Sequence, residues 1–106
     1  MSRTHPAPSH LKADGRRLWS RVTAEYQADD AHTLELLRLA AEALDRAAEA
    51  RDAVAKDGAY VEGRFGPKAH PALAVERDSS LRAARLLREL GLLDIPESRP
   101  PSRWKE

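Results

Sequence analysis

With 106 residues, 18 basic and 17 acidic side chains for a formal charge of +1, and no cysteine, the chain has single-domain size and buries only about 65% of its unfolded surface. The near-neutral balance excludes a global field pulling it toward nucleic acid or anionic lipid, so any DNA binding comes from a local patch. Disulfide and thiolate chemistry are excluded, and no apolar stretch is long enough for a membrane span or a signal-peptide core, which predicts a cytoplasmic protein.

Residues 1–10, with two prolines, two histidines and no apolar periodicity, predict a flexible N-terminal arm. A first helix follows, entered near Leu11 or capped by Asp14 and running to about Gln27. Its signal is the helical recurrence of Leu11, Leu18, Trp19, Val22 and Tyr26. Gly15 falls on the same stripe, where it costs about 1 kcal/mol of helix stability relative to Ala and makes sense if another backbone approaches closely. Arg16, Arg17 and Arg21 lie opposite, a grouping that serves either phosphate binding or a solvated face.

Asp29 or Asp30 can cap a second helix over residues 31–57, roughly 40 Å long, which Gly58 ends as a left-handed residue. On the helical wheel Leu34, Leu37, Ala41, Leu44, Ala48 and Ala55 form one side, and Leu36, Leu39, Ala40, Ala43, Ala47 and Val54 continue round it. So broad an arc fits packing on two sides, one within the subunit and one between subunits. Leu34, Leu37, Ala41, Leu44 and Ala48 are therefore the candidate oligomer interface; the alternative is that two helices of the same chain cover the whole arc. Glu35, Arg38, Glu42, Asp45, Arg46 and Glu49 fill the remaining wedge, read as a water-facing edge with a Glu42–Arg46 pair.

Three glycines and two prolines interrupt helical patterning between Gly58 and Leu73. Tyr60, Val61 and Phe65 favour extended backbone there, which predicts a short β-hairpin-like insertion whose register and turn type stay open. His70 is biased to extended backbone by Pro71, which starts a third helix that Gly91 ends. Leu73, Ala83, Ala84, Leu86, Leu87 and Leu90 share one face, and Arg77, Arg82, Arg85 and Arg88 lie on the other with Asp78 and Glu89. That row suits either a DNA backbone or water. Leu92, Leu93 and Ile95 form a short apolar plug, and residues 96–106 a partner-binding tail with Trp104 between Arg103 and Lys105. The fold class is mainly α: three helices, the central one long, with a hairpin between the second and third. Residues 11–95 form the helical domain.

Catalytic patterns are missing. His5, His10, His32 and His70 have no zinc-binding spacing, no G-x-S-x-G elbow occurs, and the nearest phosphate loop puts Arg64 and Phe65 where a lysine and a hydroxyl are needed. The chain is read as a non-enzyme with no cofactor and no metal.

Several segments in order carry a resemblance. They are the entry Gly15-Arg16-Arg17-Leu18-Trp19, the run Ala40-Ala41-Glu42-Ala43-Leu44-Asp45, the hairpin region with His70-Pro71-Ala72-Leu73, and Leu86-Leu87-Arg88-Glu89-Leu90-Gly91-Leu92. Across about residues 11–93 the chain resembles the small subunit of tailed-phage terminases, in the short helical family of cos-type packaging systems. Its tail is similar too, although Leu93-Asp94-Ile95 leads to Pro96 and Glu97 without the expected basic run. The resemblance implies a non-catalytic homo-oligomeric ring in the cytoplasm of the infected host cell, with double-stranded viral DNA and the large ATPase/nuclease subunit as partners. Arg16, Arg17, Arg21, Arg64 and Lys68 are then the candidate DNA contacts, and Arg103 and Trp104 the large-subunit contacts. Two other classes remain: a dimeric DNA-binding regulator reading the major groove with the third helix, and a structural protein-binding adaptor.

Overall fold

The computed structural model describes residues 5–26 and 30–91. Three helices, α1 (Ala13–Glu25), α2 (Ala31–Asp57) and α3 (Pro71–Glu89), enclose in sequence a two-stranded antiparallel hairpin, β1 (Tyr60–Gly63) and β2 (Gly66–Ala69), between α2 and α3. This is the architecture expected from the sequence. The apolar plug and the tail lie outside the described residues.

Local chemistry sets most boundaries. Asp30 caps α2: its carboxylate accepts the Thr33 amide at 3.0 Å and the Thr33 hydroxyl at 2.7 Å. The hydroxyl and then the amide hold its carboxyl below the ordinary aspartate value. At the far end the Gly58 amide closes on the Val54 carbonyl at 2.7 Å with φ +91°. Its ψ of 160° is extended instead of helical, because the chain passes almost directly into β1. Pro71 occupies the first turn of α3 behind His70, whose backbone is extended at φ −61°, ψ 131° as Pro71 requires. Helix α3 stops at Glu89, and Gly91 follows with φ +77°.

Helices α2 and α3 run antiparallel in step. Arg51 reaches Glu76 at 3.3 Å and Asp57 reaches His70 at 3.0 Å, so each residue forward on α2 is one residue back on α3. This register carries Leu90 to the core cluster of Leu11, Trp19, Val22, Leu37 and Ala41, against which Ala7, Leu18 and Leu34 also pack. Buried residues on the long α2–α3 contact are small: Ala43, Ala47 and Ala50 on α2, Ser79 and Ala83 on α3. Small side chains let the two backbones approach closely, where leucines would hold them apart.

Asp45 departs from expectation. It was placed on the water-facing edge, yet it is only 8% exposed. Helix α1 has Lys12 at its N-cap position and no side-chain cap of its own, Asp14 included. The Asp45 carboxylate of α2 supplies the missing acceptor: Oδ2 takes the Lys12 amide at 2.6 Å and Oδ1 the Gly15 amide at 2.7 Å. One tertiary carboxylate thus satisfies the two amides that a local capping box would bind with two side chains. Gly15 is the close approach its position predicted, since a Cβ there would lie 2.6 Å from the Ala41 carbonyl oxygen and 2.5 Å from Asp45 Oδ2.

Candidate nucleic-acid interface

The hairpin pairs Tyr60 with Ala69, Val61 with Lys68, Glu62 with Pro67 and Gly63 with Gly66, leaving Arg64 and Phe65 as a two-residue tip. Neither tip residue has positive φ, which excludes type I′, II′ and II turns; the unusual conformation falls on Gly66, at φ +117°. Strand alternation puts Tyr60, Glu62, Pro67 and Ala69 on one face and Val61, Gly63 and Lys68 on the other. Lys68 lays its aliphatic stem across Gly63, leaving its ammonium in water. Tyr60 is 71% exposed and Phe65 95%, so the tip rests on no core of its own. The Arg64 guanidinium carbon lies 5.6 Å from the Phe65 ring centroid, a long cation–π contact that leaves the ring almost fully exposed. The His70 amide ties the hairpin base to the Ala59 carbonyl at 2.8 Å.

On α1 the three arginines separate. Arg16 folds back and donates to the carbonyls of Leu11 at 2.8 Å and Ser9 at 3.3 Å, holding the segment before the helix. Arg17 pairs with Asp14 at 2.9 Å. Arg21 alone has no hydrogen-bond or ion-pair partner among the described residues. On α3, Arg77 pairs with Asp78 at 3.2 Å, whereas Arg82, Arg85 and Arg88 are exposed and unpaired among the described residues, with Leu81 60% exposed beside them. Among the described residues the arginines and lysines without a hydrogen-bond or ion-pair partner are therefore Arg21, Arg46, Lys56, Arg64, Lys68 and the α3 row. From the sequence the α3 row suits a DNA backbone or water equally, since Asp78 and Glu89 stand among its arginines and spacing does not show which of them hold partners.

The acidic edge of α2 is spoken for. Glu42 does not pair with Arg46 as expected; it accepts from Arg38 at 2.7 Å and binds His10 at 2.8 Å. Desolvation pushes the Glu42 carboxyl up, but His10 and Arg38 together outweigh it and hold the group below its ordinary value. Arg38 also bridges to Glu35, and Lys12 to Glu49, whose carboxylate raises the lysine above its usual value. An open hollow of ≈ 300 Å³ lined by His10, Lys12, Glu42, Asp45, Arg46 and Glu49 is thus largely filled by mutually satisfied charges. Trp19 donates its indole N–H to the His5 carbonyl at 2.7 Å, so the segment before α1 lies against the helix.

Of the candidate interface residues on α2, Leu37 and Ala41 are 0% exposed within the single chain, where they pack in the core with α1. Leu34, Leu44 and Ala48 are half-buried and keep surface for a neighbour. Leu44 and Leu18 line a shallow hollow of ≈ 250 Å³ rimmed by Asp14, Arg17 and Arg21. Leu39 adds apolar surface, 36% exposed. Arg103 and Trp104 lie outside the described residues.

Among the described residues no helix is long and apolar enough to cross a membrane, and no three His, Asp or Glu side chains gather as metal ligands do. Neither a curated protein nor a solved structure matches the chain. A family model described as phage terminase, small subunit, matches residues 15–100, from the glycine seated on Asp45 through both long helices and the hairpin. The chain belongs to the phage terminase small-subunit family.

Proposed function

We propose that this chain is the non-catalytic subunit that assembles into a ring, recognises viral DNA and recruits or regulates the large ATPase/nuclease subunit, in the cytoplasm of the infected host. Membership of the small-subunit family, which supports a role in genome packaging, is the observation that carries the reading. The geometry adds a physical rationale. A chain of net charge +1 binds DNA weakly alone. Repeating a few free cations around a ring makes later contacts intramolecular and multiplies affinity without new chemistry.

Arg21, Arg64, Lys68 and the row Arg82, Arg85 and Arg88 are the DNA-contacting groups in this proposal. Arg16 and Arg17 become supports of the α1 entry, given the partners they hold. Half-buried Leu34, Leu44 and Ala48, with Leu18, form the subunit contact, and Arg103 with Trp104 the peptide offered to the large subunit.

Fluorescence anisotropy on labelled duplex DNA across a salt series tests this. Wild-type affinity should fall steeply with salt, because each phosphate contact releases counterions. Alanine at Arg64 and Lys68 should weaken binding and flatten the salt dependence, and alanine at Arg17 should change neither. Salt-independent or absent binding contradicts the DNA role and leaves the protein-binding adaptor. The free α3 row also suits a dimeric regulator, which predicts a palindromic site and relaxed specificity when Arg82 and Arg85 are replaced.

A further inference from the structure

Phe65 is the least satisfied side chain in the described structure. It is the chain's only phenylalanine, stands 95% exposed at the outermost turn of a hairpin and contributes to no core. The ring adds nothing to the described core and is free to meet another surface, and the basic side chains beside it say which kind.

We infer that the hairpin tip is an apolar wedge for duplex DNA, with Phe65 entering between base pairs and Arg64 and Lys68 holding the flanking phosphates. This rests on the DNA-recognition reading above and deepens it. Three observations choose the occupant. Arg64 stands 5.6 Å from the Phe65 ring centroid while the ring stays 95% exposed, so a cation lies beside an aromatic face that is open to stack on a base. An apolar protein pocket receiving Phe65 would either strip that guanidinium away or bury its charge, a cost that a phosphate-lined groove does not impose. The charge near the tip is also one-sided: Arg64 at the turn and Lys68 beside Val61 are basic, while Glu62, the hairpin's only acid, lies on the opposite strand face from Lys68. Side chains of this kind unstack a base step and bend the duplex, and the bend brings more of the protein surface to the backbone.

Flexible steps such as TA or CA yield most readily to a wedge, so the tip adds a preference for deformable sequence without reading base edges. The next most exposed large hydrophobics stand elsewhere: Tyr60 sits at the hairpin base, and Leu81 lies on a helix face.

The experiment uses the full chain and a doubly labelled duplex of about 30 base pairs, long enough for a bend of tens of degrees to shorten its ends. End-to-end energy transfer reads the bend, and 2-aminopurine beside a central TA step reads unstacking. Wild type should raise both signals; Phe65→Ala should abolish both while keeping the phosphate-driven salt dependence, and Phe65→Leu should retain most of them. Circular dichroism and solution mass of the variants show whether fold and assembly are intact. If wild type binds but neither bends nor unstacks the duplex, or Phe65→Ala bends it equally, the wedge is overturned and DNA recognition stands. If Phe65→Ala changes the solution mass and leaves DNA signals untouched, the tip belongs to a subunit contact and the wedge is again overturned. If wild type binds no duplex, the DNA reading itself falls.

Discussion

Asp45 and Gly15 are placed as acceptor and close-approach site: Oδ1 of the buried carboxylate takes the Gly15 amide at 2.7 Å, and a methyl group at residue 15 would lie 2.5 Å from Oδ2. A helix N-terminus carries a partial positive charge, so the carboxylate, the free amides and the missing Cβ form one joint between α1 and α2.

Asp45→Ala should therefore destabilise the fold by about 2–3 kcal/mol, because the lost cap leaves the buried Gly15 amide and the part-buried Lys12 amide without an acceptor. At about 4–8 °C per kcal/mol, the melting temperature should drop by roughly 10 °C or more. Gly15→Ala should also destabilise, by about 1–3 kcal/mol, although alanine is the better helix former. The Ala41 carbonyl it meets at 2.6 Å is backbone and cannot swing aside. A stabilised Gly15→Ala variant would show that the joint is looser than described.

This joint marks the limit of what residues alone reveal. Caps at Asp30 and Pro71 and the end of α2 were legible because their partners lie within four residues along the chain, and the hairpin because its strand partners lie within nine. Asp45 was not. On a wheel it sits beside Glu42 and Arg46, and periodicity cannot separate a carboxylate facing water from one facing another helix's amides. The usable signal was indirect: a helix entry with lysine at the cap position and a glycine on the buried stripe. Among the cations the same limit applied, since nothing in the spacing of Arg16 and Arg17 shows that one grips carbonyls and the other Asp14.

His70 clasps the hairpin base, and its bonds define its tautomer. The Ala72 amide donates to Nδ1 at 2.9 Å, so in the neutral ring the proton resides on Nε2, which faces Asp57 at 3.0 Å. Nitrogen chemical shifts of the imidazole should report the Nε2–H form. His70→Ala should cost about 1 kcal/mol as a lost N-cap and increase amide exchange at the start of α3. An Nδ1–H tautomer contradicts the clasp.

Glu42 predicts an acid-dependent term. Its folded value is held down by His10 and Arg38, so its contribution is complete above the ordinary glutamate value of 4.5 and is lost as pH falls through the lower folded value. Denaturant melts of Glu42→Gln should show lower stability than wild type at neutral pH, with the difference closing in acid. A constant difference across that range contradicts the assignment.

Cutting the chain after Leu93 removes Arg103 and Trp104 and should leave assembly and DNA binding intact while abolishing stimulation of the large subunit. Full stimulation by the shortened protein would place the contact elsewhere.

Assembly is the central claim, and solution mass by light scattering on a sizing column, at moderate salt over a range of concentrations, tests it most directly. A stable species of many times 11.8 kDa is predicted, and substitution of Leu44 by a charged residue should break it down. A monomer or dimer at every concentration would contradict the ring and favour the dimeric regulator or the adaptor.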